Sequence, residues 1–331
     1  MAGYVVEHGM LGAQPLVVLR DHAGRCVRIA CRGATLLNFT VPRNGASFDI
    51  ASSHRDEAEL KTHPGSRFAI MAPFAGRVDA ARYRFDGHEH DLQPGVPDAT
   101  RGIMHGFLRD ADFTVAELVA DEHSARATLT SAAIRHNPGY PFSIDLAVTF
   151  TLDAGGLDLD ARMRNVGDTA APCFFGWHPY FRINDGQVDD WLLHVPARTL
   201  VRTDANLIAL PGDAAYVSLD AAPDLDFRKP RPIADNILDL DYVDLVADPD
   251  MRIRTRVTDP SDGFGVVVWQ ERGVAHVFTS DTLRERVRRA VALESTECMA
   301  NAFNRPECAD AIRLEPGAER TFRCGIQVEG S

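Results

Sequence analysis

The sequence predicts an all-β protein, built as one large antiparallel β-sandwich with few short helices. Apolar and polar residues alternate with a period of two in several stretches, as in strands with one buried face. Turn-forming Gly, Pro, Asp and Asn recur between those stretches, and helical patterns are scarce. No linker and no repeat interrupts the chain, so we expect a single domain over residues 1–331.

The clearest pair of strands lies in the middle of the sequence. Apolar residues occupy every second position from Ile144 to Leu152, and again from Leu157 to Met163. The intervening residues 153–156 (DAGG) favour a tight turn. This pattern predicts an antiparallel hairpin with one buried face and one solvated face.

Other segments give weaker or different signals. The same alternation appears weakly at residues 115–130 and 252–257, and it returns at residues 322–328. Residues 264–269 are continuously apolar, which predicts a strand covered on both faces. Residues 282–290 (TLRERVRRA) are compatible with two helical turns or with a solvated loop, and the sequence leaves both open.

The composition is that of an ordinary globular protein, with 331 residues of which 45% are hydrophobic. Lys and Arg number 35 against 47 Asp and Glu, and the formal net charge of −12 argues against a nucleic-acid-binding surface. No apolar run reaches the roughly 18 residues of a membrane span, and the N-terminus lacks a signal-peptide pattern. We therefore expect a cytoplasmic protein with free cysteines and no membrane partner.

The most informative segment is residues 175–181 (FGWHPYF), in which His178 lies among aromatic residues. Pro179 favours an extended backbone at the preceding residue, so His178 is expected at a strand end. We expect the aromatic rings to form walls that stack on the apolar C–H faces of a sugar, while the imidazole transfers a proton. The alternative is a histidine buried in the core for structural reasons.

A second segment, residues 291–296 (VALEST), has Glu294 just after an apolar run. A buried carboxylate there needs a partner, whereas the alternative is a charge at an exposed strand end. Glu297 lies nearby in the sequence and competes for the same role. If Glu294 faces His178 across a cleft with aromatic edges, the two form an acid–base pair suited to a sugar.

Three further residues are candidates for binding sugar hydroxyl groups. His105 precedes a glycine, which allows a ligand to approach closely, although a turn histidine stabilised by Asp110 is the alternative. Arg77 follows an apolar stretch and offers a guanidinium fork, with a structural salt bridge as the alternative. Asp239 lies in an acidic stretch, where the sequence does not distinguish it from Asp241 or from a plain surface carboxylate.

No motif in the sequence indicates a metal or an organic cofactor. The 12 histidines show no HxxxH or HExxH spacing, and no GxGxxG or phosphate-binding loop is present. His88 and His90 alternate in a segment that fits an exposed hairpin tip better than a metal site. We therefore expect neither a metal nor a cofactor.

Taken together, these segments resemble the aldose 1-epimerase (mutarotase) family, in the same order along nearly the whole chain. Residues 178–181 (HPYF) are similar to the His-x-Tyr-Phe of that family and are the most specific match. The other matching positions are Arg77 with residues 82–87 (RYRFDG), His105-Gly106, Asp239 with Tyr242, Glu294 with residues 301–304 (NAFN), and residues 314–317 (LEPG). Two positions depart from the family pattern, since Gly76 replaces a common Asn and Ser295 a common Pro.

The resemblance implies a large antiparallel β-sandwich that interconverts the α and β anomers of a hexose without a cofactor. It implies that His178 is the general acid and Glu294 the general base. By the same resemblance, His105, Arg77 and Asp239 bind hydroxyl groups of the sugar. We expect a monomer or a homodimer.

Other functions stay open from the sequence. A hexose-6-phosphate or other anionic-sugar 1-epimerase would need convergent cations, for which candidates are Arg77, Arg82, Arg84, Arg101 and Arg109. A non-catalytic carbohydrate-binding or sensing module would keep the aromatic residues without needing both His178 and Glu294. A glycoside hydrolase is disfavoured because such enzymes normally use two carboxylates.

Overall fold

The computed structural model describes residues 3–330, which form mainly short and medium-length strands. The first strands are β1 (Val5–Leu11), β2 (Gln14–Arg20), β3 (Cys26–Ala30), β4 (Thr35–Arg43), β5 (Ala46–Asp49), β6 (Ile70–Met71), β7 (Arg77–Val78), β8 (Arg82–Phe85), β9 (His88–Asp91) and β10 (Ile103–Met104). The central strands are β11 (Thr114–Ala120), β12 (Ser124–Ile134), β13 (Ile144–Asp153), β14 (Gly156–Asn165), β15 (Ala171–Pro172), β16 (Gly176–Trp177) and β17 (Tyr180–Phe181). The remaining strands are β18 (Leu192–His194), β19 (Thr199–Val201), β20 (Tyr216–Ser218), β21 (Arg231–Pro232), β22 (Asp239–Val243), β23 (Ile253–Thr258), β24 (Gly265–Gln270), β25 (Val274–Phe278), β26 (Val291–Thr296), β27 (Arg313–Leu314) and β28 (Glu319–Glu329).

Helices are short, as the sequence predicts. The α-helices among the described residues are α1 (Glu57–Thr62) and α2 (Ala309–Ile312). Single 3₁₀ turns occur at Pro64–Ser66, Asp79–Ala81, Asp98–Thr100, Val188–Asp190, Gly212–Ala215, Leu219–Ala221, Pro223–Leu225, Ala302–Asn304 and Pro306–Cys308. Residues 282–290 form turns and bends, so the helical alternative for that segment is wrong. Within residues 3–330, no helix combines the length and hydrophobicity needed to cross a membrane.

Three sheets account for most strands. The first five strands form an N-terminal sheet in the order β1-β2-β3-β4-β5. A nine-stranded sheet follows the order β11-β12-β13-β14-β28-β24-β23-β18-β21. An eight-stranded sheet follows β20-β19-β22-β25-β26-β16-β6, with β17 also pairing with β26. The ladders in all three sheets are antiparallel.

The two larger sheets pack against each other to form a sandwich. Phe150 on β13 of the nine-stranded sheet meets Trp177 on β16 of the eight-stranded sheet, with ring centroids 6.3 Å apart. Phe322 on β28 meets Phe175, which directly precedes β16, at 5.8 Å. Burial of these large rings between the sheets is the main source of stability that such an arrangement provides. The predicted all-β, antiparallel sandwich is confirmed.

The strand predictions from hydrophobic period also hold. β13 and β14 pair along their whole length around the predicted turn, and buried residues alternate with half-buried ones along β13. Every residue of β24 is buried, which confirms the prediction of a strand covered on both faces. Successive side chains on a strand point to opposite faces of the sheet. The spacing of hydrophobic residues along a strand therefore indicates whether one face or both faces are buried.

Candidate active site

One cavity of about 250 Å³ opens beside the eight-stranded sheet, and we call it the central cavity. All five residues singled out in the sequence line it, together with a histidine that was not singled out. These residues are Arg77, His105, His178, Asp239, His276 and Glu294. Their convergence depends on strand pairing between segments that are far apart in the chain.

His178 and Glu294 are in direct contact at the base of this cavity. His178 Nε2 lies 3.1 Å from Glu294 Oε1, and both residues are buried, with only 5% of each exposed. Each group is therefore shielded from bulk water but open to a ligand in the cavity. The two residues thus lie side by side, whereas the sequence predicts that they face each other across a cleft.

The backbone around His178 explains how the pair forms. β16 and β17 both pair with β26, on either side of His178 and Pro179. Pro179 has no N–H to donate, but its carbonyl accepts a hydrogen bond from Leu293 N at 3.1 Å. The His178 ring stacks on Tyr180, with ring centroids 4.9 Å apart and planes 6° from parallel. His178 is thus held at the junction of two short strands, next to the strand that carries Glu294.

A row of charged side chains crosses three neighbouring strands. Asp241 on β22 lies opposite His276 on β25, and His276 lies opposite Glu294 on β26. Directly opposite residues on paired strands project to the same face, so the three side chains meet. His276 Nδ1 is 2.8 Å from Asp241 Oδ1, and His276 Nε2 is 3.7 Å from Glu294 Oε1.

Asp239 and Asp241 are both part of this row, because they are two residues apart on β22. Asp239 Oδ1 lies 3.1 Å from His276 Nε2, and Asp241 also accepts a hydrogen bond from Ala300 N at 3.2 Å. The Asp239 side chain is 29% exposed against 11% for Asp241. Asp239 is therefore the carboxylate with more capacity to receive hydrogen bonds from a ligand.

His105 occupies a tight turn at the edge of the cavity. Gly76 N donates to His105 Nδ1 at 3.3 Å, which leaves the proton of a neutral ring on Nε2. His105 and Gly106 both have φ of +64°, and a Cβ on Gly106 would lie 1.9 Å from the carbonyl oxygen of Ala72. Only glycine fits there, and it keeps the His105 ring 5.2 Å from the ring of His178.

Arg77 lies on β7, which pairs with β10 just before His105. Its guanidinium lines the central cavity and has no ion-pair partner among residues 3–330. The alternative of a structural salt bridge is therefore wrong for Arg77. An unpaired guanidinium beside carboxylates is suited to bind hydroxyl groups of a ligand.

Burial sets the protonation of the central pair. It raises the pKa of Glu294 to about 8, and the positive charge of His276 only partly opposes this. Burial, aided by the charge of His276, lowers the pKa of His178 to about 3. At neutral pH the pair therefore holds one proton between two groups.

His276 has the opposite protonation behaviour. Burial works against its charge, but Glu294, Asp239 and Asp241 raise its pKa well above the ordinary value. Asp239 is also buried, yet its contact with His276 outweighs that effect and its pKa lies below the ordinary value. His276 is thus a fixed cation among carboxylates.

Several details of the sequence interpretation are wrong. Glu294 lies inside β26, whose residues are all buried, and not just after a strand. Of the four predicted aromatic wall residues, Tyr180 lines the cavity, whereas Trp177, Phe175 and Phe181 are buried in the core.

Glu297 and Asp110, which the sequence offers as alternatives, form contacts away from the acid–base pair. Glu297 accepts a hydrogen bond from Phe175 N and pairs with Arg272, so it is a structural residue. Asp110 pairs with Arg32, and the His105 ring is instead held by Gly76.

His276 is the residue that sequence reasoning missed. It is the lone polar residue in the apolar segment 274–278 (VAHVF), and this isolation was the available signal. The signal alone does not identify a site, because the contacts of His276 arise from pairing of β25 with β22 and β26.

Comparison with known proteins identifies the family. The sequence profile described as aldose 1-epimerase matches residues 15–327. This chain belongs to the aldose 1-epimerase family. It is therefore an isomerase that acts on sugars, as the resemblance in the sequence predicts.

Individual relatives and solved structures are similar to this chain over most of its length. Maltose epimerase of Levilactobacillus brevis is 26% identical over 313 residues, which cover 89% of each protein. The uncharacterized protein YihR of Escherichia coli is 29% identical over 265 residues, covering 80% of this chain and 79% of that protein. The structure of galactose 1-epimerase from Lactobacillus acidophilus has a TM-score of 0.80 at 18% identity and covers 99% of both chains. That last comparison shows a shared fold.

Proposed function

We propose that this aldose 1-epimerase interconverts the anomers of a neutral aldohexose, or of a disaccharide ending in one, with His178 and Glu294 as its acid–base pair. The observation that carries this proposal is the buried contact of 3.1 Å between His178 Nε2 and Glu294 Oε1. The ring oxygen and the C1 hydroxyl of a sugar are bonded to the same carbon. Two protein groups that act on both oxygens must therefore be close together, as these are.

Ring opening requires one proton to be removed and one to be supplied. Glu294, as general base, takes the proton of the C1 hydroxyl while His178, as general acid, protonates the ring oxygen. The C1–O5 bond breaks, C1 becomes an aldehyde, and the C1–C2 bond rotates. Attack of the C5 hydroxyl on the other face of the aldehyde, with both proton transfers reversed, yields the second anomer. Each transfer contributes about 10²–10⁴-fold to the rate.

The protonation of the pair supports this mechanism. A single proton shared by two groups leaves one donor and one acceptor, which is what the reaction needs. In the free protein the raised pKa of Glu294 and the lowered pKa of His178 favour the proton on Glu294. The proposed roles need the reverse placement, so this proposal requires that the bound sugar shift the proton from Glu294 to His178 along their contact, which leaves Glu294 as the base.

The other residues of the cavity bind and orient the sugar in this proposal. His105 donates from Nε2 to a hydroxyl group, because its Nδ1 is occupied by Gly76 N. Arg77 donates to hydroxyl groups, and Asp239 accepts from them. His276 is a positioning residue that fixes Asp239 and keeps its negative charge balanced.

The charges of the central cavity favour a neutral sugar over a phosphorylated one. Arg77 and His276 are balanced by Asp239 and Asp241, and the His178–Glu294 pair with its single proton is neutral overall, so the cavity has no excess positive charge to offset a phosphate dianion. A phosphate dianion in this cavity would face those carboxylates at close range. The names of two similar proteins, a maltose epimerase and a galactose 1-epimerase, also refer to neutral sugars.

The test is a comparison of anomerisation rates by polarimetry. We expect catalysed mutarotation of glucose, galactose or maltose well above the uncatalysed rate, and much weaker catalysis with glucose 6-phosphate. A preference for glucose 6-phosphate would contradict the substrate class. Sugar binding without any catalysed anomerisation across the panel would favour a non-catalytic carbohydrate-binding module instead.

Three expectations from the sequence stay predictions. They are the single domain, the cytoplasmic location and the monomeric or homodimeric state. Size-exclusion chromatography with light scattering, and fractionation of cells that express the protein, measure the last two directly.

A further inference from the structure

A second cavity, of about 470 Å³, lies where the N-terminal sheet meets the segment after β17 and the loop between β25 and β26. Its lining is rich in arginine, and we call it the basic cavity. The arginines that line it are Arg28, Arg55, Arg182, Arg286 and Arg289. This local positive charge contrasts with the net charge of −12 on the chain.

Two of these arginines have carboxylate partners. Arg182 Nη1 lies 3.1 Å from Asp185 Oδ1, and Arg55 pairs with Glu59 and, at 3.3 Å, with Glu285. Their charges are therefore already balanced within the protein.

The other three arginines are not balanced. Arg28, Arg286 and Arg289 form no ion pair with a carboxylate in the described part of the chain. Asp49 lines the same cavity, but its oxygens accept hydrogen bonds from Asn38 and from two backbone N–H groups. Arg28 and Arg289 donate hydrogen bonds to uncharged oxygens, which are the side-chain oxygen of Asn38 and the backbone oxygens of Met10 and Asp185. The three guanidinium groups therefore exceed in charge the single carboxylate of Asp49.

Two buried polar side chains beside these arginines also lack partners. His54 lines the cavity with 3% of its surface exposed, and neither ring nitrogen has a hydrogen-bond partner among residues 3–330. Arg67 is 5% exposed and has no ion pair in the same part of the chain. Burial lowers the pKa of Arg67, and the nearby charge of Arg286 adds to this effect. Buried polar groups without partners are rare in folded proteins, and His54, which lines the cavity, is available to contact a ligand there.

The geometry points to the basic cavity as a second ligand site, which binds a phosphate group as inorganic phosphate or as a phosphate monoester. Guanidinium forks match the oxygens of phosphate in pairs. Three guanidinium groups against the one carboxylate of Asp49 leave an excess of positive charge, which favours a dianion over a singly charged carboxylate. His54 has one N–H left to donate to the same group.

One loop connects this site with the central cavity. Residues 279–290 join β25 to β26, and Thr282 and Leu283 line the central cavity while Arg286 and Arg289 line the basic cavity. A phosphate group held by Arg286 and Arg289 would restrict the motion of this loop. It would therefore also hold Thr282 and Leu283 in place in the wall of the central cavity. We therefore expect phosphate to lower KM for the sugar while leaving kcat unchanged.

The experiment is isothermal titration calorimetry on the whole protein in a chloride buffer of constant ionic strength. The probes are inorganic phosphate, glucose 6-phosphate and sulfate, each with and without saturating galactose. We expect phosphate binding that galactose does not displace. The double variant Arg286→Gln/Arg289→Gln should weaken it about tenfold or more, since hydrogen bonds to charged groups are lost.

The controls separate this site from the central cavity. Arg126→Gln, on the outer nine-stranded sheet and 44% exposed, should leave phosphate binding unchanged. Arg28→Gln tests the site from a different strand if the double variant fails to fold. Equal binding of both phosphate probes identifies inorganic phosphate as sufficient, and binding of glucose 6-phosphate alone identifies a monoester.

Other results would overturn the inference. These are no binding of either phosphate probe, sulfate bound as tightly as phosphate, or phosphate binding that galactose displaces and Arg77→Gln abolishes. If phosphate binds in the basic cavity but KM for the sugar is unchanged, the proposed effect of phosphate on the central cavity through the loop is wrong. Because calorimetry needs no turnover, these outcomes are independent of the proposed acid–base roles.

Discussion

The central cavity contains two histidines that contact carboxylates, yet at neutral pH one is neutral and the other is positively charged. His178 faces Glu294 and stacks on an aromatic ring, whereas His276 faces Asp239, Asp241 and Glu294. Burial alone would make both neutral. The neighbouring groups decide the outcome. Glu294, Asp239 and Asp241 outweigh the cost of burying His276, whereas the positive charge of His276 adds to the effect of burial at His178.

This difference gives the cavity two kinds of proton. The proton of the His178–Glu294 pair can be transferred, whereas the proton that charges His276 stays in place. The His178–Glu294 side of the cavity holds a proton that can move to a ligand, because neither group is strongly stabilised in its charged form. On the His276 side the charges are paired and stay in place. A site that both moves protons and binds hydroxyl groups needs both kinds of environment.

The largest effect on kcat is expected from replacing Glu294, which belongs to the pair that shares the mobile proton. Glu294→Gln keeps the shape of the side chain but removes the proposed base, so kcat should fall by about 10²–10⁴-fold. Sugar binding, measured by calorimetry, should be retained because the hydroxyl-binding groups are intact. Full polarimetric activity in this variant would show that Glu294 is not the base.

A smaller effect, on kcat/KM, is expected from replacing His276, which is the fixed cation of the cavity. His276→Gln leaves Asp239 and Asp241 without their positive partner, so kcat/KM should fall by roughly 10–100-fold, as for loss of hydrogen bonds between charged groups. It should also raise the pKa of Glu294 further, since His276 opposes that rise. The alkaline limb of the pH–rate profile should therefore move to higher pH.

The matched control for that variant is His88→Gln at the exposed β8–β9 hairpin. It should leave both the rate and the pH profile unchanged. If His276→Gln lowers the rate without moving the alkaline limb, its role is structural packing and not electrostatic positioning.

The smallest effect is expected at the rim of the cavity. Arg77→Gln removes a donor to hydroxyl groups, so KM should rise about tenfold while kcat changes little. Arg84→Gln, an exposed arginine on β8, is the control and should change neither value. A fall in kcat with KM unchanged would show that Arg77 acts in the chemical step and not in sugar binding.

The sequence predicts the fold class well because the period of hydrophobic residues is a local property. The β13–β14 hairpin and the buried β24 follow directly from it. The local surroundings of His178 and Glu294 also single them out as candidates. Their contact could be expected only as a hypothesis, because it depends on pairing of β16 and β17 with β26.

What the sequence does not contain is the pairing of distant strands. The charge of His276 arises from neighbours on β22 and β26, and nothing in its own segment indicates them. The burial of Trp177 in the core has the same origin, since its strand is covered by the nine-stranded sheet. The basic cavity combines residues from three separate parts of the chain, so no local motif predicts it.

The central claim is that His178 and Glu294 share one proton that the reaction uses. The pH dependence of kcat/KM, corrected for uncatalysed mutarotation, tests it most directly. Below a pKa of about 3 His178 takes a second proton and no base remains, and above a pKa of about 8 Glu294 loses the shared proton and no acid remains. We predict a rate that is highest between these values and falls above pH 8. A rate that stays level or rises through pH 9 would contradict the account.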